Sequence, residues 1–77
     1  VVLRNKITEL AHCIDPALSI HDFRMVPGPT HTNLIFDVVT PFGFRLEDAE
    51  VARQLRALIR AFDSHYVPVI QVEHSYI

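Results

Sequence analysis

Residues 20–41 read IHDFRMVPGPTHTNLIFDVVTP, and the remainder of the chain is arranged around this stretch. Two runs rich in β-branched and aromatic residues, 20–26 and 32–40, flank the sequence PGPT at 27–30. Proline fixes φ and glycine adds backbone freedom, so this pattern predicts a β-hairpin. The hairpin is more polar than packing alone requires, because its arms and bend carry His21, Asp22, Arg24, His31, Asn33 and Asp37.

Two helical patterns and a further strand flank the hairpin, whose own strands are predicted over about 19–26 and 31–40. A first helix is predicted over about 3–13, because apolar residues recur at helical spacing at Leu3, Ile7, Leu10 and Ile14. A second helix is predicted over about 46–62, with acidic residues in its first turn and arginines further along. A last strand is predicted over about 67–74, where Pro68 fits only the start or an edge of a strand.

The order helix–strand–strand–helix–strand fixes most of the topology. A strand–helix–strand unit crosses over right-handed and makes its two strands parallel, whereas hairpin strands are antiparallel. The predicted fold is therefore α+β, an αββαβ sandwich in which both helices pack on one face of a three-stranded mixed sheet. The uncovered face would carry Ile, Val and Phe side chains, so we expect the chain to form a homodimer.

The composition describes a single small domain over residues 1–77, with 49% apolar residues. A formal net charge of −2 provides no basic surface for nucleic acid. Cys13 is the only cysteine, which excludes an internal disulfide and a multi-cysteine zinc site. No apolar run approaches the roughly 20 residues that span a bilayer, so this segment is not expected to insert into a membrane. Because the chain begins without methionine and inside a helical pattern, we expect it to be part of a longer protein.

Enzyme activity is not expected. A catalytic nucleophile needs an adjacent base and a third group that orients the base. The serines and Cys13 lie in no recognisable motif of that kind. A glycine-rich phosphate loop is excluded as well, because the chain has only Gly28 and Gly43.

The first candidate site is the adjacent pair His21 and Asp22. A neutral imidazole is a common metal ligand, and a nearby carboxylate can orient it. Neighbouring residues on a strand point to opposite faces, however, so both cannot reach one ion without help. The alternative, which the spacing favours, is a surface histidine beside an ion pair between Asp22 and Arg24.

The second candidate site lies on the last strand, where Gln71 and Glu73 project from the same face. Asp37 on the hairpin would oppose Glu73 if the two strands are neighbours, and a cation or a proton would relieve their repulsion. The alternative is an edge strand whose charges discourage aggregation. Glu50, in the first turn of the second helix, is interpreted as a residue that complements the helix dipole.

The chain resembles the cytoplasmic C-terminal domain of cation diffusion facilitator transporters. The resemblance lies in residues 20–24 (IHDFR), 28–30 (GPT), 34–39 (LIFDVV) and 69–73 (VIQVE), and in the order of helices and strands. It covers nearly the whole chain, and the His-Asp pair at the start of a strand is its most specific element.

That resemblance implies a ferredoxin-like, metallochaperone-like αββαβ domain attached to a transmembrane domain that lies outside residues 1–77. The family exports Zn²⁺ or related divalent cations from the cytosol. Its C-terminal domain forms a homodimer, and in many members it binds zinc between the protomers. The chain would then be the cytoplasmic domain of an integral cell-membrane protein.

The resemblance also implies a metal-ligand set on five residues. His21 matches the family's strand-one histidine, and Glu73 matches its terminal-strand acid. Asp37, Glu50 and Gln71 stand where many members have histidine. The resulting set is rich in oxygen, and carboxylates suit Mn²⁺ and, more weakly, Zn²⁺ or Fe²⁺. The expected ligand is therefore a divalent cation, Zn²⁺ or Mn²⁺.

Three functions remain open at this point. The first is a cytosolic dimerisation and metal-sensing domain, in which a cation bound between protomers biases the transporter. The second is a metal-independent dimerisation module of the same family, which the three departures from histidine favour. The third is a free-standing metallochaperone-like binding domain, which predicts a gene encoding this domain alone.

Overall fold

The computed structural model describes residues 2–75. Its elements follow the predicted order and are α1 (Val2–Ile14), β1 (Ser19–Pro27), β2 (Thr32–Thr40), α2 (Asp48–Phe62) and β3 (Tyr66–His74). Each boundary lies within two residues of its predicted position. Across residues 2–75, neither helix is long and apolar enough to cross a membrane.

The three strands form one mixed sheet in the order β1-β2-β3. β1 and β2 pair antiparallel, and β2 and β3 pair parallel, as the hairpin and the crossover predict. β3 is an edge strand, which gives Pro68 the position that a residue without an N–H requires. The α+β prediction is therefore confirmed.

Burial alternates along β2 and shows which face carries the helices. Leu34, Phe36 and Val38 are buried, while Ile35 and the other intervening residues are only half-buried. The buried side chains join Ile7 and Ala11 of α1 and Val51, Leu55 and Ile59 of α2 in one core. Both helices thus pack on one face, and no helix within residues 2–75 covers the opposite face, here called the open face.

The hairpin turn requires glycine because of a close approach. Pro27 pairs with Thr32, so the four residues 28–31 form the connection. A Cβ atom on Gly28 would lie 2.9 Å from the carbonyl oxygen of His31, closer than side chains tolerate. The glycine of the PGPT sequence therefore permits the turn.

A second feature of the hairpin, a β-bulge in β1, was not predicted. His21 pairs with Asp37 and Arg24 pairs with Ile35, so two residues of β1 oppose only Phe36 of β2. Asp22 accommodates the extra residue at φ 54°, in the left-handed region. The bulge lets His21 and Arg24 both face the open side while Phe23 turns inward and stacks on Phe36.

The conformation of Asp22 gives a stability prediction. Left-handed backbone costs an ordinary residue roughly 1–2 kcal/mol, aspartate less, and glycine almost nothing. Asp22→Val should therefore lower the free energy of unfolding by about 1–2 kcal/mol, whereas Asp22→Gly should leave it within about 1 kcal/mol. Urea denaturation of both variants measures the difference, and equal stability for the two would contradict the left-handed assignment.

A histidine ties the start of α2 to the sheet. His74 Nε2 lies 3.0 Å from the carboxylate of Asp48, and Nδ1 lies 3.1 Å from the hydroxyl of Thr40. The Thr40 hydroxyl, which is buried, also donates to the Glu73 carbonyl oxygen at 3.3 Å. These bonds hold the first turn of α2 over the face of the sheet that packs on the helices.

Candidate functional site

Three metal-capable side chains lie in one row across the open face. His21 on β1 pairs with Asp37 on β2, and Asp37 pairs with Gln71 on β3. Paired residues of neighbouring strands share a face and bring their side chains within about 5 Å at Cβ. The sheet therefore aligns an imidazole, a carboxylate and an amide, here called the open-face row.

Glu73, the fourth candidate ligand on the sheet, lies next to the open-face row but outside it. Glu73 pairs with Val39 instead of lying opposite Asp37, where the sequence had suggested it. It shares the open face with the row and is a diagonal neighbour of Asp37. Diagonal neighbours across a sheet are roughly 7–8 Å apart, which long side chains can span.

The open face carries two neighbouring shallow depressions. One, of about 930 Å³, includes Asp37 and Gln71 of the row, together with Asp22 and Arg24 at the bulge. The other, of about 630 Å³, includes His21 and is bounded by residues at the end of β2. The row thus runs along the boundary between the two depressions, accessible to solvent.

The hydrogen bonds of His21 differ at its two ring nitrogens. The hydroxyl of Ser19 lies 3.1 Å from Nε2. Nδ1 has no hydrogen-bond partner in the described part of the chain. Within the described chain, Nε2 of this exposed imidazole is therefore hydrogen-bonded and Nδ1 is not.

Glu50 is not brought to the row within one chain. It lies on α2, and α2 packs on the opposite face of the sheet from Asp37. Its carboxylate accepts hydrogen bonds from Arg53, at 3.0 Å for Nε, and from Gln54 at 2.7 Å. The bonds from Arg53, and then that from Gln54, lower the pKa of Glu50 from 4.5 to about 2.

The lowered pKa of Glu50 has a testable consequence. A folded-state pKa below the unfolded value stabilises the protein above about pH 4.5, and this contribution is lost as the pH falls towards 2. Arg53→Ala should return the pKa of Glu50 towards 4.5, as read from its carboxyl ¹³C shift in an NMR titration. Arg56→Ala, one turn along the exposed surface of the same helix, should leave that pKa low; equal shifts in both variants would contradict the pairing.

The donor types of the row suit an oxygen-preferring divalent cation, but one chain does not complete a site. Within residues 2–75, no three His, Cys, Asp or Glu side chains are grouped so that they could hold a metal ion. The row offers one imidazole, one carboxylate and one amide, whereas divalent cations in proteins take about four to six donors or more. A cation at this row would need further donors from water or from a second copy.

The sequence analysis named Asp22 as a candidate beside His21 but favoured an ion pair between Asp22 and Arg24. No ion pair joins these two residues within residues 2–75, and Asp22 lines the depression beside Asp37. The bulge at Asp22 was not predicted, although the spacing of three between the inward-facing residues Ile20 and Phe23 indicates an extra residue in the strand. Ser19 was not predicted to lie beside His21, although its i, i+2 spacing places both residues on one face.

Comparison of the chain with protein-family models, with curated proteins and with solved structures finds no match.

Proposed function

We propose that this chain is the cytosolic dimerisation and metal-sensing domain of a divalent-cation efflux transporter. The observation that carries the proposal is the open-face row, in which His21, Asp37 and Gln71 align on the face that the helices leave uncovered. The resemblance of residues 20–24 and 69–73 to cation diffusion facilitators also supports it, because these segments contain His21 and Glu73, the two residues that match the family's ligand positions.

The chemistry of the row favours a cation shared between two protomers. Asp37 and Glu73 provide carboxylate oxygens, and His21 provides a nitrogen, a mixture that suits Mn²⁺ or Zn²⁺. Because one chain supplies too few donors, a second copy facing the first would complete the coordination. Cation binding would then stabilise the closed pair and shift the population of the attached membrane domain.

The open face has the character of a self-association surface. Ile35 and Val39 are half-buried in the monomer, and Val69 is 50% exposed. Arg24 lies towards one end of this face and Glu73 towards the other, and neither forms an ion pair within residues 2–75. Two open faces related by a two-fold axis that reverses the strands would bring the arginine of each copy towards the glutamate of the other.

Calorimetric titration with Mn²⁺, Zn²⁺ and Cd²⁺ tests the sensing function. Binding is expected for the wild type, and His21→Ala should weaken it at least about tenfold, because a direct ligand is lost. His31→Ala is the matched control, since that histidine lies at the exposed hairpin turn and is bonded to Thr30. Equal affinities for His21→Ala and the wild type would remove His21 from the site.

A metal-independent dimerisation module is the second candidate, and the absence of a three-ligand group within residues 2–75 favours it. Sedimentation in the presence of a chelator distinguishes the metal-independent module from the metal-sensing domain. A dimer that is complete in chelator and gives no heat with any of the three cations supports the second candidate and contradicts the sensing function.

A free-standing metallochaperone-like domain is the third candidate. The codons upstream of Val1 distinguish it, because a transporter predicts that they encode transmembrane helices.

A further inference from the structure

We infer that the two copies of Asp37 face each other on the two-fold axis of the dimer and weaken it, while reciprocal ion pairs between Arg24 and Glu73 hold the copies together. The inference rests on the dimer of the proposed function and adds the residues that set its register and its strength. It does not depend on a bound cation, so it applies equally to the metal-sensing domain and to the metal-independent module.

The open face around the row is a regular array of nine residues. β2 is the central strand, and three of its residues on this face each pair with one residue of β1 and one of β3. The three rows are Arg24, Ile35 and Val69; His21, Asp37 and Gln71; and Ser19, Val39 and Glu73. Arg24 and Glu73 therefore stand at opposite corners of the array, and Asp37 stands at its centre.

The two corner residues carry opposite charges that are not neutralised within the described chain. Arg24 and Glu73 are both exposed, and neither forms an ion pair within residues 2–75. A two-fold interface presents the same patch from both copies, so the patch has to be complementary to itself. A face with one unpaired cation and one unpaired anion at opposite corners meets this condition for a second copy of the chain.

The array also gives the position of the two-fold axis. An axis that places Arg24 of one copy over Glu73 of the other passes midway between the two residues. Asp37 occupies this midpoint, so the Asp37 carboxylates of the two copies point towards each other. Stacked sheets lie about 10 Å apart, a separation that an arginine and a glutamate side chain can span together.

The surroundings of Asp37 make its charge unfavourable in the dimer. Ile35 and Val39 precede and follow it on this face of β2, and all three are half-buried already in the monomer. Docking of a second open face removes water from these side chains, and like charges interact more strongly where water is excluded. Like charges that face each other across an interface lower the affinity. Asp37 therefore limits the strength of the dimer, and the corner ion pairs fix its register.

Neutralising Asp37 tests its role. Asp37→Asn keeps the size and removes the charge, so the dissociation constant of the dimer, measured by sedimentation velocity in chelator, should fall about tenfold or more. Asp22→Asn is the matched control, because it makes the same change in net charge at the bulge, where asparagine also tolerates the left-handed backbone. The control should stay within about threefold of the wild type. An unchanged or higher dissociation constant in Asp37→Asn, or equal decreases in both variants, would overturn the inference.

Exchanging the corner charges tests the register. Arg24→Glu and Glu73→Arg should each raise the dissociation constant about tenfold or more, because each variant places like charges at both corner contacts. A mixture of the two variants should form a heterodimer within about threefold of the wild-type affinity, since both corner contacts are then attractive. Arg56→Glu, on the exposed side of α2, is the control and should form no such heterodimer with Glu73→Arg.

Failure of the inference and failure of the proposed function give different results. If the wild type dimerises but the mixture of Arg24→Glu and Glu73→Arg does not, the proposed dimer stands and the register inferred here is wrong. If the wild type and Asp37→Asn are both monomeric in chelator and with Mn²⁺, Zn²⁺ or Cd²⁺, the proposed function and the inference are both wrong.

Discussion

Phe36→Ala is expected to lower the free energy of unfolding by about 3–5 kcal/mol. The side chain is only 1% exposed, lies in the middle of the central strand and stacks on Phe23 at 6.1 Å between ring centroids. Its removal leaves a cavity between the sheet and both helices, and the paired backbone of β2 prevents collapse around it. For a domain of 77 residues, whose total stability should be about 4–12 kcal/mol, such a loss can unfold most of the population.

Urea denaturation at one fixed protein concentration in chelator, followed by far-ultraviolet circular dichroism, measures this loss. Phe42→Ala is the matched control, because it makes the same chemical change at a side chain that is 75% exposed. The control should change the free energy of unfolding by less than about 1 kcal/mol. If the two substitutions had similar effects, Phe36 could not be the centre of the core described here.

The fold could be predicted because its signals are local and periodic. The alternation of Leu34, Phe36 and Val38 with more polar neighbours fixed the buried face of β2, and the helical spacing of Ile7 and Ile59 with their neighbours fixed the helices. The order of the elements then determined whether neighbouring strands are parallel or antiparallel, since a hairpin and a crossover each permit one relative strand direction. The error in the boundaries stayed within two residues because proline or acidic residues stand near most of the ends.

The details of the site could not be predicted, because they depend on register and on contacts distant in sequence. The bulge at Asp22 and the parallel alignment of β3 together decide that Gln71, rather than Glu73, stands beside Asp37. The hydrogen bonds of Glu50 depend on rotamers along α2, although the i, i+3 spacing to Arg53 was visible in the sequence. Whether the row binds a cation remains a prediction.

Ile35→Lys is expected to separate the proposed dimer into folded monomers. Ile35 lies on the open face between Arg24 and Val69. These three residues are adjacent to the open-face row but do not belong to it, and Ile35 has no metal-donor atom in its side chain. In the monomer a lysine there can extend into solvent, so the domain should stay folded. In a two-fold dimer each protomer would bury one unpaired lysine charge in the interface. Each uncompensated charge would make the free energy of dimerisation less favourable by about 3–5 kcal/mol. The dissociation constant should therefore rise at least about 100-fold.

Sedimentation velocity measures the dissociation, and Ala57→Lys on the exposed side of α2 controls for the added charge. The cation affinity of Ile35→Lys, measured by calorimetry, then shows whether one protomer or two supply the donors. If Ile35→Lys is monomeric and its cation affinity falls with the dimer, donors from both protomers complete the site. If the monomer binds the cation as tightly as the wild type, one open face holds it with water, and the shared site is wrong. If Ile35→Lys sediments as a dimer, the open face is not the interface, because a lysine at its centre would not be accommodated there.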